Sequence, residues 1–183
     1  MPTNIRGYAG QELAAISGDG TSADPLVQSV SAAPVLDVIA VVPVVDAGNA
    51  YASGDLIANA TAIAAAVRIT GGRAILQSLT IIDADAQGVA FSVYFMSTST
   101  SFGTLNGAPD INDANIAAGL LGRVDVGTAD YSTLSGAKVA SLKNIGLMVE
   151  VPATTLWFAI VNSTGTPTFA ASSLKLIFGF TQG

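Results

Sequence analysis

The chain has 183 residues, with 7 Lys and Arg against 13 Asp and Glu for a net charge of -6, and it contains neither Cys nor His. Half of it is hydrophobic and 11% is charged, well under the roughly 25% of an ordinary soluble domain. These counts exclude Cys–His and Ser–His–Asp nucleophiles, disulfides, and zinc, copper or non-haem iron held by imidazole or sulfur. Few basic residues in an acidic chain also argue against a nucleic-acid partner. The expectation is a protein that is not an enzyme, needs no cofactor or metal, and works by binding and assembly.

Mean hydropathy is +0.56, yet the most apolar run, residues 38–45, is far shorter than the ~20 residues of a membrane span and contains Pro43. No membrane partner is expected, and residues 1–10 show no apolar segment of the secretory kind. A greasy, sparsely charged chain of this sort is expected to bury outer surface against copies of itself or against another protein.

Residues 1–34 differ from the rest. They are rich in Gly, Ala, Ser and Asp, end at Pro34, and scatter their apolar residues without helical or strand period. Such a segment cannot offset its ordering entropy alone. It reads either as a disordered tail or as an extended arm, in which Ile5, Leu13, Ile16, Leu26 and Val27 are the candidate partner-binding residues. Residues 35–183 read as one β-sandwich domain.

From Leu36 the pattern is strands and turns. Residues 36–45 form a β-branched strand, with Pro43 pointing to an edge or bulge, closed by the Asp46-Ala47-Gly48-Asn49 turn. Residues 56–70 follow Ser53-Gly54-Asp55 and read as two short strands or one bent strand. Gly71-Gly72 is a two-residue hairpin signal before a strand over residues 73–82. Asp83 to Gly88 reads as a solvated hairpin turn; it imitates the start of a calcium loop, but Tyr94 stands where the closing glutamate belongs. Residues 89–96 alternate, with Val89, Phe91, Val93 and Phe95 on one face. A Ser/Thr loop over residues 97–109 leads to a helix over residues 110–121, capped by Asp110 and closed by Gly122. Short strands are expected over residues 123–126, 138–142, 145–151 and 155–161, and a last strand over residues 174–180 alternates Leu174, Leu176, Phe178 and Phe180. This spacing predicts an all-β fold, an antiparallel sandwich of jelly-roll type with one short helix. Phe91, Val93, Phe95, Leu147, Val149, Leu176 and Phe178 are its expected core.

Motifs for chemistry are weak. Ser135-Gly136-Ala137-Lys138 matches S-x-x-K but lacks the companion elements and reads as a turn. Two convergent carboxylates, as glycoside hydrolysis requires, are not indicated among residues that mostly sit in turns. Trp157 and Phe158 must point to opposite faces of one strand, so Trp157 belongs to a packing or subunit interface, or to a sugar-stacking platform.

Four stretches in this order carry a resemblance: Pro43-Val44-Val45-Asp46 through Tyr51-Ala52-Ser53-Gly54-Asp55, Leu76-Gln77-Ser78-Leu79-Thr80-Ile81-Ile82-Asp83, Asn144-Ile145-Gly146-Leu147, and Gly165-Thr166-Pro167-Thr168 before a terminal strand. Over residues 36–180 the chain resembles the jelly-roll capsid decoration, or cement, proteins of tailed bacteriophages. The resemblance implies a virion structural protein, made in the host bacterial cytoplasm, that sits on the outer capsid surface. There it would act as a homo-oligomer, favouring a trimer, and bridge subunits of the major capsid protein. It implies no catalytic residues and does not extend to residues 1–34. The alternative is another virion component, a tail or fibre module or a carbohydrate-binding adhesin.

Overall fold

The computed structural model describes residues 34–183 and, in addition, the backbone of two short strands, β1 (Ile16–Ser17) and β2 (Val27–Gln28), which pair antiparallel. The chain divides into Met1–Ala33 and Pro34–Gly183. Of the candidate arm residues, Ile5, Leu13 and Leu26 lie outside the described residues, as do the side chains of Ile16 and Val27.

The second unit is an antiparallel β-sandwich. Its strands are β3 (Val35–Val41), β4 (Leu56–Ile63), β5 (Arg73–Asp83), β6 (Phe91–Met96), β7 (Leu120–Val126), β8 (Tyr131–Leu134), β9 (Ala137–Glu150), β10 (Leu156–Asn162) and β11 (Leu174–Gln182). One sheet has four strands in the order β4-β10-β6-β7, and the other has five in the order β3-β11-β5-β9-β8. The pairing is nested. The first strand of the sandwich lies beside the last, β4 beside β10, β5 beside β9 and β6 beside β7. A folded ribbon wound in this way is a jelly roll.

Period-2 alternation builds it, because successive side chains of a strand point to opposite faces. Along β11, Leu174, Leu176, Phe178 and Phe180 are buried, and Phe91, Val93 and Phe95 of β6 face them across the sandwich. Phe178 makes the central contact between the sheets. Its ring meets Phe95 edge-on at 6.1 Å and Phe158 at 5.2 Å, while Phe180 stacks at 6.3 Å. Val149 is buried in the same cluster and Leu147 packs against it, so the expected core is one core.

Several local expectations change. Gly71-Gly72 does form a turn, with Gly72 N–H donating to Ile69 O, but it joins no hairpin, since β4 and β5 belong to different sheets. Turn chemistry is local; sheet membership is decided by which strand each face can bury against. The two-residue hairpin is instead β8–β9, closed by Ser135 at φ 55° and Gly136, with Leu134 opposite Ala137. The two strands expected around residue 143 are one strand. A bulge between the Leu76–Leu147 and Ser78–Lys143 pairs absorbs Asn144 and Gly146 at positive φ and restores the inward face. The helix, α1, is shorter than expected, Asp113–Gly119, and its cap is Asn112, whose Oδ1 accepts from Asn115 N–H at 2.8 Å. Asp110 instead donates its backbone N–H to Phe102 O, and Gly122 lies inside β7.

Phe178→Ala and Phe91→Ala are each expected to lower the unfolding free energy by ~3–5 kcal/mol, read from urea denaturation followed by circular dichroism.

Candidate functional site

The two outer faces of the sandwich are built differently. On the four-stranded sheet, the outward residues Tyr94, Met96, Trp157 and Val161 are covered by the segment between β6 and β7. Phe102, Leu105 and Ile111 of that segment pack on them in a second small hydrophobic cluster. Tyr94 and Phe102 stack obliquely at 5.8 Å. A niche of about 210 Å³ remains there, walled by Met96, Ile116, Leu120 and Pro109. Trp157 is half-buried in this cluster, while Phe158 beside it enters the core.

The five-stranded sheet has no such cover among the described residues. Strand register places its outward side chains in rows running across β3, β11, β5 and β9. Leu36, Thr181, Ile75 and Met148 make the first row, and Val38, Gly179, Ser78 and Lys143 the second. Ala40, Ile177, Thr80 and Ser141 make the third, followed by Lys175, Ile82 and Val139. Leu36 is 80% exposed, Val38 70% and Met148 75%. Gly179 keeps the middle of the face flat, because a Cβ there would strike Ser78 Oγ. Exposed apolar side chains gathered on one face mark an interaction surface.

Charge on this face is sparse. Lys143 and Lys175 have no ion-pair partner among the described residues, and Glu150 is held by Arg73 at 2.8 Å. That pairing draws the Glu150 carboxyl below its usual range. At the end of the first row, Ile75, Met148, Thr181 and Leu121 line a shallow cavity of about 610 Å³. The free edge of β3 is blunted from within, since Asp37 Oδ1 accepts the N–H of Val38 at 2.8 Å.

The remaining polar groups serve the loops. Asp83 is not in a solvated hairpin turn: it is 2% exposed. Its oxygens accept the N–H groups of Asp85 at 3.1 Å and Gly88 at 2.7 Å, and β5 and β6, which the loop joins, lie in different sheets. Burial pushes the Asp83 carboxyl up, against the pull of those N–H donors. Burial, with the Asp83 and Asp130 carboxylates nearby, also pushes the Tyr131 hydroxyl well up. Tyr51, in the resembling stretch, is buried against Phe169, and its hydroxyl accepts the N–H of Asp46 at 2.6 Å. Ser135 of the S-x-x-K stretch lies in the turn of the β8–β9 hairpin, and Lys138 is the second residue of β9. No group of three or more Asp, Glu, His or Cys converges among the described residues, and no described helix is long and apolar enough to cross a membrane.

The outward residues of β3 carried a sequence signal that was ambiguous. Leu36, Val38 and Ala40 alternate with Ile39 and Val41, so both faces of the strand are apolar, and only the sheet order shows which one is inward.

No protein-family profile and no curated protein matches the chain. Among solved structures it is similar to a chain from Desmodium yellow mottle tymovirus, at 11% identity over 100% of this chain and 95% of that one, with a TM-score of 0.25. The jelly-roll assignment rests on the strand order itself.

Asp83→Ala should cost ~2–4 kcal/mol, because the buried N–H of Gly88 and the part-buried N–H of Asp85 lose their acceptor. The raised carboxyl also has a sign. Its contribution to stability is full below the unfolded-state pKa and declines as pH rises through the higher folded-state value. Wild type should therefore lose stability relative to Asp83→Asn as pH rises through the upper carboxylate range, measured by urea denaturation at a series of pH values.

Proposed function

We propose that the chain is a virion structural protein, a jelly roll that decorates and stabilises the outer surface of a phage capsid by bridging subunits of the major capsid protein. The observation that carries this reading is the outer face of the five-stranded sheet, uncovered among the described residues, where Leu36, Val38 and Met148 stand exposed in a chain with 11% charged residues. A monomer in water gains nothing from such a face; a protein that spends its life seated on another does. The order of the short motifs, which resembles the phage decoration proteins, supports the same reading.

Residues 1–34 serve in this reading as an arm that reaches a neighbour. Burying Ile5, Leu13, Ile16, Leu26 and Val27 there contributes ~1.5–3 kcal/mol each before ordering entropy is subtracted, so the arm holds only against a preformed surface. On a symmetric lattice, oligomerisation (a trimer, as the resemblance implies) makes each weak contact count several times.

Under this reading, purified particles carry the protein at a copy number that scales with the shell lattice; a copy number fit for a single vertex or tail would favour the tail, fibre or adhesin reading instead. Deleting residues 2–30 should leave the sandwich folded, as read by circular dichroism, and weaken its retention on particles in a sedimentation assay. Undiminished retention of the truncated chain would remove the arm from the mechanism.

A further inference from the structure

We propose that the outer face of the five-stranded sheet is the side that meets the shell, and that it meets there an apolar protein surface rimmed with carboxylates. This rests on the reading of the chain as a shell-bound protein and adds to it the orientation of the sandwich and the chemistry of its partner.

The first ground is the difference between the two faces. The four-stranded sheet has its outer apolar residues packed beneath Phe102, Leu105 and Ile111. The five-stranded sheet presents Leu36, Val38, Ala40, Ile177, Ile75 and Met148 in register with no cover among the described residues. Among the described residues, one face is thus closed by the chain's own loop and the other is left open.

Charge selects the occupant. The protein is acidic, with 13 Asp and Glu, yet the charges without a partner on this face are the cations Lys143 and Lys175, and its carboxylate Glu150 is neutralised by Arg73. Of the other carboxylates, Asp37 on β3 has no cation partner among the described residues and turns to the sheet edge, where it accepts the N–H of Val38; Asp83 is buried in its loop, and Asp125 pairs with Arg123 on β7 of the other sheet. Two copies set face to face would oppose lysines to lysines in a system that already carries -6 per chain. A surface with carboxylates around an apolar centre matches both properties. Strand addition at β3 is disfavoured, because Asp37 already takes the N–H of Val38 at that edge.

Size fits a repeated contact. Strands ~4.8 Å apart and rows ~7 Å apart give a footprint of roughly 20 by 20 Å, about half of the ~800 Å² per partner of a stand-alone complex. One such contact is weak, and several per oligomer hold by avidity.

The test is co-sedimentation of the purified full-length chain with particles that lack it, comparing wild type, Leu36→Glu, the double variant Lys143→Glu/Lys175→Glu, and Ala62→Glu on the opposite sheet. All substituted positions are at the surface, and thermal melts confirm folding of each variant. The expected result is at least about a tenfold loss of binding for Leu36→Glu and for the lysine double variant, little change for Ala62→Glu, and wild-type binding that weakens with added salt. Wild-type binding that survives in the first two variants, or is lost with Ala62→Glu alone, overturns the orientation. Absence of binding by the wild type itself overturns the shell-bound reading, and this proposal with it.

Discussion

Inter-sheet packing around Phe178 is the constraint from which the rest of the molecule follows. Its ring lies against Phe95 and Phe158 of the opposite sheet and Phe180 of its own strand, and this contact fixes which side of β11 is inward. With a period of two there is no further freedom: Ile177 and Gly179 must face out, and through the register so must Ala40, Val38, Thr80 and Ser78 beside them. The exposed face is therefore the back of the core. A one-residue slip of β11 would bury Lys175 and expose Phe178, which makes the composition of the outer surface as tightly specified as that of the interior.

The interior was legible in the sequence wherever alternation was clean. Residues of β6 and β11 alternate, with Met96 and Ile177 as apolar exceptions on the outward side, and the expected core residues fall inward. Boundaries and partners were less legible, for physical reasons. Asn112 and Asp110 are both residue types that cap helices, and the helix starts at Asp113, so Asn112 stands at the cap and Asp110 lies before it, its backbone N–H bonded to Phe102 O. Gly71-Gly72 has the chemistry of a tight turn, but a turn does not reveal whether the strands it joins will pair. Asp83 looked like a surface carboxylate because sequence shows its type and not the two N–H groups that come back to meet it from Asp85 and Gly88. The exposed face of the five-stranded sheet was hidden for a related reason. Pro43 points to an edge, and β3 does lie at the margin of its sheet, but a strand that is apolar on both sides does not show which side is inward.

The polar side chains of the sandwich are largely spent on holding loops. Asn59 binds Phe102 and Gly103 and so ties the covering segment to β4. Asn162 donates to the carbonyls of Ala52 and Gly165, and Asp46 accepts from both Asn49 and Asn106. Apart from the buried Asn162 Oδ1, which finds no partner among the described residues, these groups are occupied within the fold. What the outer face of the five-stranded sheet offers outward is mainly apolar area, with Lys143 and Lys175 as its charges lacking an ion-pair partner among the described residues.

The nested pairing also governs how the chain reaches this state. β3 is held by β11, its neighbour in the sheet, so the strand that emerges early from synthesis waits for the one that emerges last. Contacts so distant along the chain incur loop-closure entropy before any burial compensates, which slows folding. During that interval Leu36, Val38, Ile39 and Val41 stand unpaired on both sides, and intermediates of this kind are prone to associate. Asp37, midway along β3, places a charge in this otherwise apolar strand during its most vulnerable period.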